Sequence, residues 1–109
     1  MDLIDELGYS TADFMRRCRE VRMNNEIVSI GGVQLLPEEA ELAHKRNLYI
    51  VTAYKVYAVN YSNAQKQYYG QAVYTEPMKD VRLVQWNRYQ VMTAKQVNNL
   101  IGVHLLNED

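Results

Sequence analysis

The residues able to do chemistry in this chain are few and scattered. Glu41 and His44 stand three apart, with Glu38 one turn earlier, a spacing that on a helix aims a carboxylate and an imidazole at one point. Di-metal carboxylate sites need two such pairs and further glutamates; here there is one pair, and only two histidines, His44 and His104. The pair therefore reads as a solvated helix face with His44 near the carboxyl end, and neither a metal site nor a cofactor is expected. Cys18, the single cysteine, could serve as a nucleophile beside a histidine, but it shares a helical face with Phe14 and Val21 and reads as a small buried hydrophobe. His104, between Val103 and Leu105, reads as a packing or surface residue. No Ser/His/Asp set stands out by spacing, and the neighbours Glu38 and Glu39 point to different sides of their helix. Gly31-Gly32 fits neither the Walker pattern nor the dinucleotide fingerprint. No catalytic residue is assigned, and the chain is expected not to be an enzyme.

Recognition chemistry is better represented. Seven of the nine tyrosines fall between Leu48 and Thr75, interleaved with Lys55 and Lys66. Tyrosine offers a large rigid contact area at low entropic cost, with a hydroxyl to orient a partner. The same rings, with cations nearby, stack the bases of single-stranded nucleic acid, and they also serve as ordinary cross-strand packing.

The segment Leu48–Tyr61 is dense in β-branched and aromatic residues, which predicts one long strand; as a helix it would restrict Ile50, Val51, Thr52, Val56 and Val59 at χ1. Ser62–Gln65 is the expected turn, and Lys66–Thr75 the returning antiparallel strand. With Tyr61 paired to Lys66, Tyr57 lies opposite Gly70, Lys55 opposite Ala72 and Val59 opposite Tyr68. One face of this hairpin then carries Tyr49, Lys55, Tyr57, Tyr61, Lys66, Tyr68 and Tyr74, and the other Leu48, Ile50, Tyr54, Val56, Tyr69 and Val73. The second face is the expected core. The first is the expected contact surface for a protein partner or a second copy of the chain, through Tyr49, Lys55, Tyr57, Tyr61, Tyr68 and Tyr74, with Arg82 and Trp86 as neighbours. Tyrosine and arginine would anchor the contact and the lysines would steer it.

Towards the amino end, Asp2–Leu7 predicts a short helix, Gly8-Tyr9 a break, and Ser10 or Thr11 the cap of a second helix reaching Met23, with Arg16, Arg17, Arg19 and Arg22 spread outside its apolar face. A short helix, a Gly-Tyr-Ser turn and a basic helix resemble a helix-turn-helix motif, without a preceding helix to complete the usual three-helix support. That resemblance covers about the first twenty-three residues and implies the second helix entering the major groove. The alternative function is thus nucleic-acid binding, through those four arginines or through the cationic tyrosine-bearing sheet.

The remaining elements frame these surfaces. Short apolar runs flank Gly31-Gly32 over 27–36 and predict a tight hairpin, whose tip lacks the basic residues of a DNA-contacting wing. Pro37–Asn47 is a helix with proline and acids at its start and bases at its end. Glu76–Asp80 is a connection and Val81–Trp86 a further strand. Thr93 caps a last helix, Ala94–Ile101, closed by Gly102, with Val97, Leu100 and Ile101 packing inward.

The 109 residues make one domain, divided into a helical segment at 1–24, a hairpin at 27–36, a helix at 37–47, a tyrosine-rich sheet at 48–86 and a helix at 93–102. The expected class is α+β: an antiparallel sheet of about five strands with two to four helices packed mainly on one face. Residues 1–47 hold six basic and nine acidic side chains, residues 48–95 six basic and two acidic, so the sheet region is mildly cationic on a chain of net charge −1. That total is too small for a mimic of the DNA phosphate backbone and not basic enough to make nucleic acid the obvious partner. The lone cysteine, the acidic amino end without a signal-like apolar run, and the lack of a long apolar stretch lead to the expectation of a small soluble cytoplasmic protein with no membrane contact.

Overall fold

The computed structural model describes residues 3–52, 55–76 and 89–108. Among these, helices α1 (Leu3–Leu7), α2 (Thr11–Met23), α3 (Pro37–Lys45) and α4 (Ala94–Ile101) accompany strands β1 (Val28–Ile30), β2 (Val33–Leu35), β3 (Tyr49–Val51), β4 (Val56–Ser62), β5 (Gln67–Tyr74) and β6 (Gln90–Met92). The class is α+β, as the sequence predicts. The layout differs from a single five-stranded sheet: β1 and β2 pair alone, and a four-stranded antiparallel sheet runs β5-β4-β3-β6. Val81–Trp86, expected as a strand, lies outside the described residues.

Local signals set the element ends. The Ser10 hydroxyl accepts from the Asp13 N–H (3.1 Å) and starts α2. Glu39, buried, turns back to accept from the Leu36 N–H (2.8 Å) and orders the first turn of α3. Thr93 and Gln96 exchange a reciprocal pair of hydrogen bonds (3.2 and 2.9 Å) at the start of α4. At the other end of α4, Asn98 accepts from the N–H groups of Leu105 and Leu106 and donates to the Leu106 carbonyl and the Glu108 carboxylate, fastening the following segment to the helix.

The expected strand from Leu48 to Tyr61 is two strands folded back on each other. Thr52 N–H donates to the Lys55 carbonyl (2.9 Å), and the Thr52 hydroxyl accepts from the Lys55 N–H (3.3 Å), so β3 and β4 form a hairpin with Val51 opposite Val56 and Tyr49 opposite Ala58. The reason is side-chain parity. Ile50 and Val59 belong to one buried cluster and Val51 and Val56 to another. No single strand can place an even and an odd residue on the same face, whereas a fold-back can. The β4–β5 register is also two residues away from the expected one: Tyr61 pairs with Tyr68, Val59 with Gly70 and Tyr57 with Ala72, with a bulge next to Val56.

Both faces of the sheet are covered, rather than mainly one. On one side Ile50, Val59 and Val91 pack with Leu3 of α1, Ala40 and Ala43 of α3, and Val28, Ile30 and Leu35 of the β1–β2 hairpin. On the other, Val51, Val56 and Met92 pack with Val97 and Ile101 of α4. Full burial of each valine, leucine, isoleucine or methionine among these contributes roughly 1.5–3 kcal/mol.

Two glycines lock the hairpin to the sheet. Gly31 and Gly32 hold φ of 58° and 84°, the pair of positive values that a two-residue turn requires. A methyl group on Gly31 would overlap the Tyr57 ring, and one on Gly70 would lie 2.6 Å from Ile30 Cγ2 and 3.4 Å from Tyr57 Cδ1. Nothing lies within 4 Å of the same position on Gly32. Gly31→Ala is therefore expected to lower stability by about 2 kcal/mol or more and the melting temperature by roughly 10 °C, through strain plus displacement of Tyr57. Gly32→Ala should show the smaller effect of strain alone; thermal melts of the two variants provide the check.

Candidate interaction surface

The two long strands β4 and β5 form a ribbon that ends in the turn Asn63–Lys66, where Gln65 N–H donates to the Ser62 hydroxyl (3.2 Å) and Lys66 adopts a left-handed φ of 55°. Near this tip Tyr61 and Tyr68, directly paired, meet edge to face at 4.8 Å, and His44 of α3 meets Tyr68 at 5.7 Å. The imidazole is fixed by its Nδ1, which donates to the Val59 carbonyl (2.9 Å). Burial, followed by the nearby Glu41 carboxylate and Tyr61, pushes the Tyr68 phenol above its ordinary pKa. Tyr68 thus stays a neutral hydrogen-bonding ring at physiological pH.

Between this tip and the chain entering β1 runs a groove of about 810 Å³. Tyr61, Tyr68 and Tyr69 border one side; Ile27 and Ser29 border the other, with Glu26, Glu41 and Lys66 as the charged groups. Tyr61, Tyr69 and Ile27 are among the large apolar side chains that the fold leaves exposed, at 39%, 43% and 37%. A cleft where aromatic and aliphatic side chains stand among polar and charged ones suits a side chain or short segment of a partner.

The expected contact residues do not share one face. Tyr57, Tyr61 and Tyr68 do, but it is the face that the β1–β2 hairpin and α3 cover, so Tyr57 is half-buried and taken up in packing. Tyr49 and Tyr74 lie on the opposite face, half-buried against the cluster under α4, because the fold-back at Thr52–Lys55 reverses the parity of everything before it and the bulge that of Tyr74. Lys55 is exposed in the hairpin connection. Arg82 and Trp86 lie outside the described residues. Tyr69, placed by the sequence reading in the core, is exposed; it shares its face of the strand with Gln67 and Gln71, and those polar neighbours at a spacing of two were the available signal for an outer face.

The four arginines of α2 are unequally free. Arg16 pairs with Asp13 (3.0 Å). Arg17 grips Glu38 with two hydrogen bonds (2.7 and 3.2 Å), and the Tyr9 hydroxyl donates to the same carboxylate (2.7 Å), tying α2 to α3. Arg19 and Arg22 are exposed. Among the described residues no group of three or more His, Cys, Asp or Glu is placed to hold a metal ion, and no helix is long and apolar enough to cross a membrane. No family model matches the chain, and no curated protein or solved structure is significantly similar to it.

Burial pushes the Glu38 carboxyl up, but the hydrogen bonds from Arg17 and Tyr9 outweigh it and hold the group below its ordinary pKa of 4.5. A carboxyl depressed in the folded state contributes stability that is complete above the ordinary value and is lost as the pH falls through the folded one. Glu38→Gln is expected to cost about 1–2 kcal/mol at neutral pH. In urea unfolding across a pH series, that deficit should shrink as the wild type loses its ion pair in acid.

Proposed function

We propose that this chain acts by binding a protein partner rather than by catalysis, and that it does so at the tip of the β4–β5 ribbon. The observation that carries this reading is the groove, bordered by Tyr61 and Tyr68 on one side and Ile27 on the other, with Tyr61 and Ile27 exposed. An exposed ring and an exposed aliphatic group across one cleft are the kind of surface that partners desolvate. The charges at the cleft, Glu26 and Glu41 against Lys66, favour a segment with an apolar anchor and a basic neighbour. They also speak against nucleic acid there, since two carboxylates would repel a phosphate backbone. On α2, Arg16 and Arg17 already face carboxylates, which leaves Arg19 and Arg22 for phosphates. A reducing compartment such as the cytoplasm suits the single cysteine.

The test is capture of binding partners from the native cell by wild type and by the double variant Tyr61→Ala/Ile27→Ser, with and without nuclease. Both side chains are exposed, so circular dichroism should show the fold retained apart from a loss of about 1 kcal/mol with the Tyr61–Tyr68 contact. The wild type is expected to retain a protein that survives nuclease and that the variant releases. Retention of the same protein by the variant, or of material removed by nuclease, overturns the reading.

A further inference from the structure

Between α2 and the β1–β2 hairpin lies a cavity of about 220 Å³. Phe14, Cys18 and Arg22 follow one another at single-turn spacing along α2 and line it from one side. Val21, Ile27, Leu35 and Leu36 complete its apolar wall. The small Cys18 side chain leaves this space open between larger neighbours, where protein interiors are otherwise close-packed. Its polar groups are Gln34, Glu39 and the Arg22 guanidinium. Glu39 is buried and its Oε1 accepts from the Leu36 N–H at the first turn of α3, where the helix end offsets the negative charge. Arg22 is exposed and makes no ion pair among the described residues, whereas Arg16 and Arg17 both do.

We infer that this cavity binds a small monocarboxylate built on one aromatic ring, with the ring among Phe14, Cys18 and Leu35 and the carboxylate at Arg22 on the rim. Size sets the first limit. A dry cavity of about 150 Å³ admits benzene. At about 220 Å³ this one admits a ring with a short arm. Charge sets the second limit. A cation would meet the unpaired guanidinium of Arg22 on entry, while the Glu39 carboxylate inside is already answered by a backbone N–H. An anionic head carried down to Glu39 would meet a like charge, which keeps it at the rim. There a guanidinium grips a carboxylate through two parallel hydrogen bonds, and the Gln34 amide is a further donor. Phe14 offers ring-on-ring contact to the body of the ligand. The cavity shares Ile27 with the groove at the ribbon tip but neither Tyr61 nor Tyr68, and no step above requires a protein partner, so either assignment can fail alone.

The experiment uses the full chain with phenylacetate and its uncharged counterpart phenylacetamide. Because Cys18 is the single cysteine, alkylation reports on this place alone. Phenylacetate is expected to slow the reaction of Cys18 with iodoacetamide and to saturate below about 1 mM. In amide chemical-shift titrations, phenylacetamide should bind about fivefold more weakly than the acid. Arg22→Gln, at an exposed position, should weaken the acid by the same factor and leave the amide unchanged. Cys18→Leu fills the space and should abolish binding, with the melting temperature kept or raised. Failure of phenylacetate to protect Cys18 overturns the proposal, as does equal binding of acid and amide. So does an Arg22→Gln variant that weakens both alike, or a folded Cys18→Leu variant that binds as the wild type does. N-acetylphenylalanine binding more tightly than phenylacetate would assign the cavity to the end of a peptide chain and overturn it as well.

Discussion

The ring of Tyr57 is the piece on which the arrangement of the two sheets turns. It leans on the bare backbone of Gly31 in the β1–β2 turn and reaches Gly70 on the neighbouring strand, where Ile30 also rests. A hairpin of three-residue strands has too little surface to be stable alone. Here it gains a place in the fold by meeting a sheet at positions where no Cβ intervenes. That close approach lets Val28, Ile30 and Leu35 complete the cluster around Ile50 and Val59. It also decides which side of the β4–β5 ribbon is inside.

The interaction surface follows from this constraint. With the hairpin and α3 over one face, the ribbon keeps only its tip, its edge and part of its far face for contact. At the tip, Tyr68 is held between His44 and Tyr61, so the phenol groups are presented in a fixed arrangement rather than as mobile side chains. Ordering a partner against such a surface costs less conformational entropy than ordering both sides. The arginines of α2 have a different role: Arg17 is a strut to Glu38, and its charge is spent on joining helices.

How much of this was legible in the sequence depended on whether the signal was local. Caps and turns were: Ser10, Pro37, Thr93, Gly31-Gly32 and Gly102 each act through neighbours a few residues away, and the elements they bound fall where the pattern put them. The α+β class followed from those elements. The fold-back at Thr52–Lys55 was missed because Leu48–Tyr61 is strand-forming throughout, and propensity alone cannot mark a reversal between residues equally fit for either strand. Parity carried the missing information, since Ile50 and Val51 are adjacent, both apolar and both fully buried. One wet face could not accommodate the pair. The error then propagated to the site: Tyr49 was grouped with Tyr57 although the two point to opposite sides. The choice of which face the hairpin covers depends on contacts between distant residues, Gly31 with Tyr57 and Ile30 with Gly70, and no local pattern announces it.

The order of the strands has a consequence for how the chain acquires its shape as it is made. The antiparallel run β3-β4-β5 joins neighbours in sequence, and the residues packed against its Ile50 side precede it apart from Tyr89 and Val91. The Val51 side is different, for Met92, Val97 and Ile101, which close it, all follow the β3-β4-β5 run in the chain. Nascent chains therefore carry a half-covered sheet, apolar on its open side, until α4 docks and Asn98 fastens the segment that follows. A messenger truncated before that point would yield a product with a permanently bare sheet face, a ready substrate for chaperones and proteases.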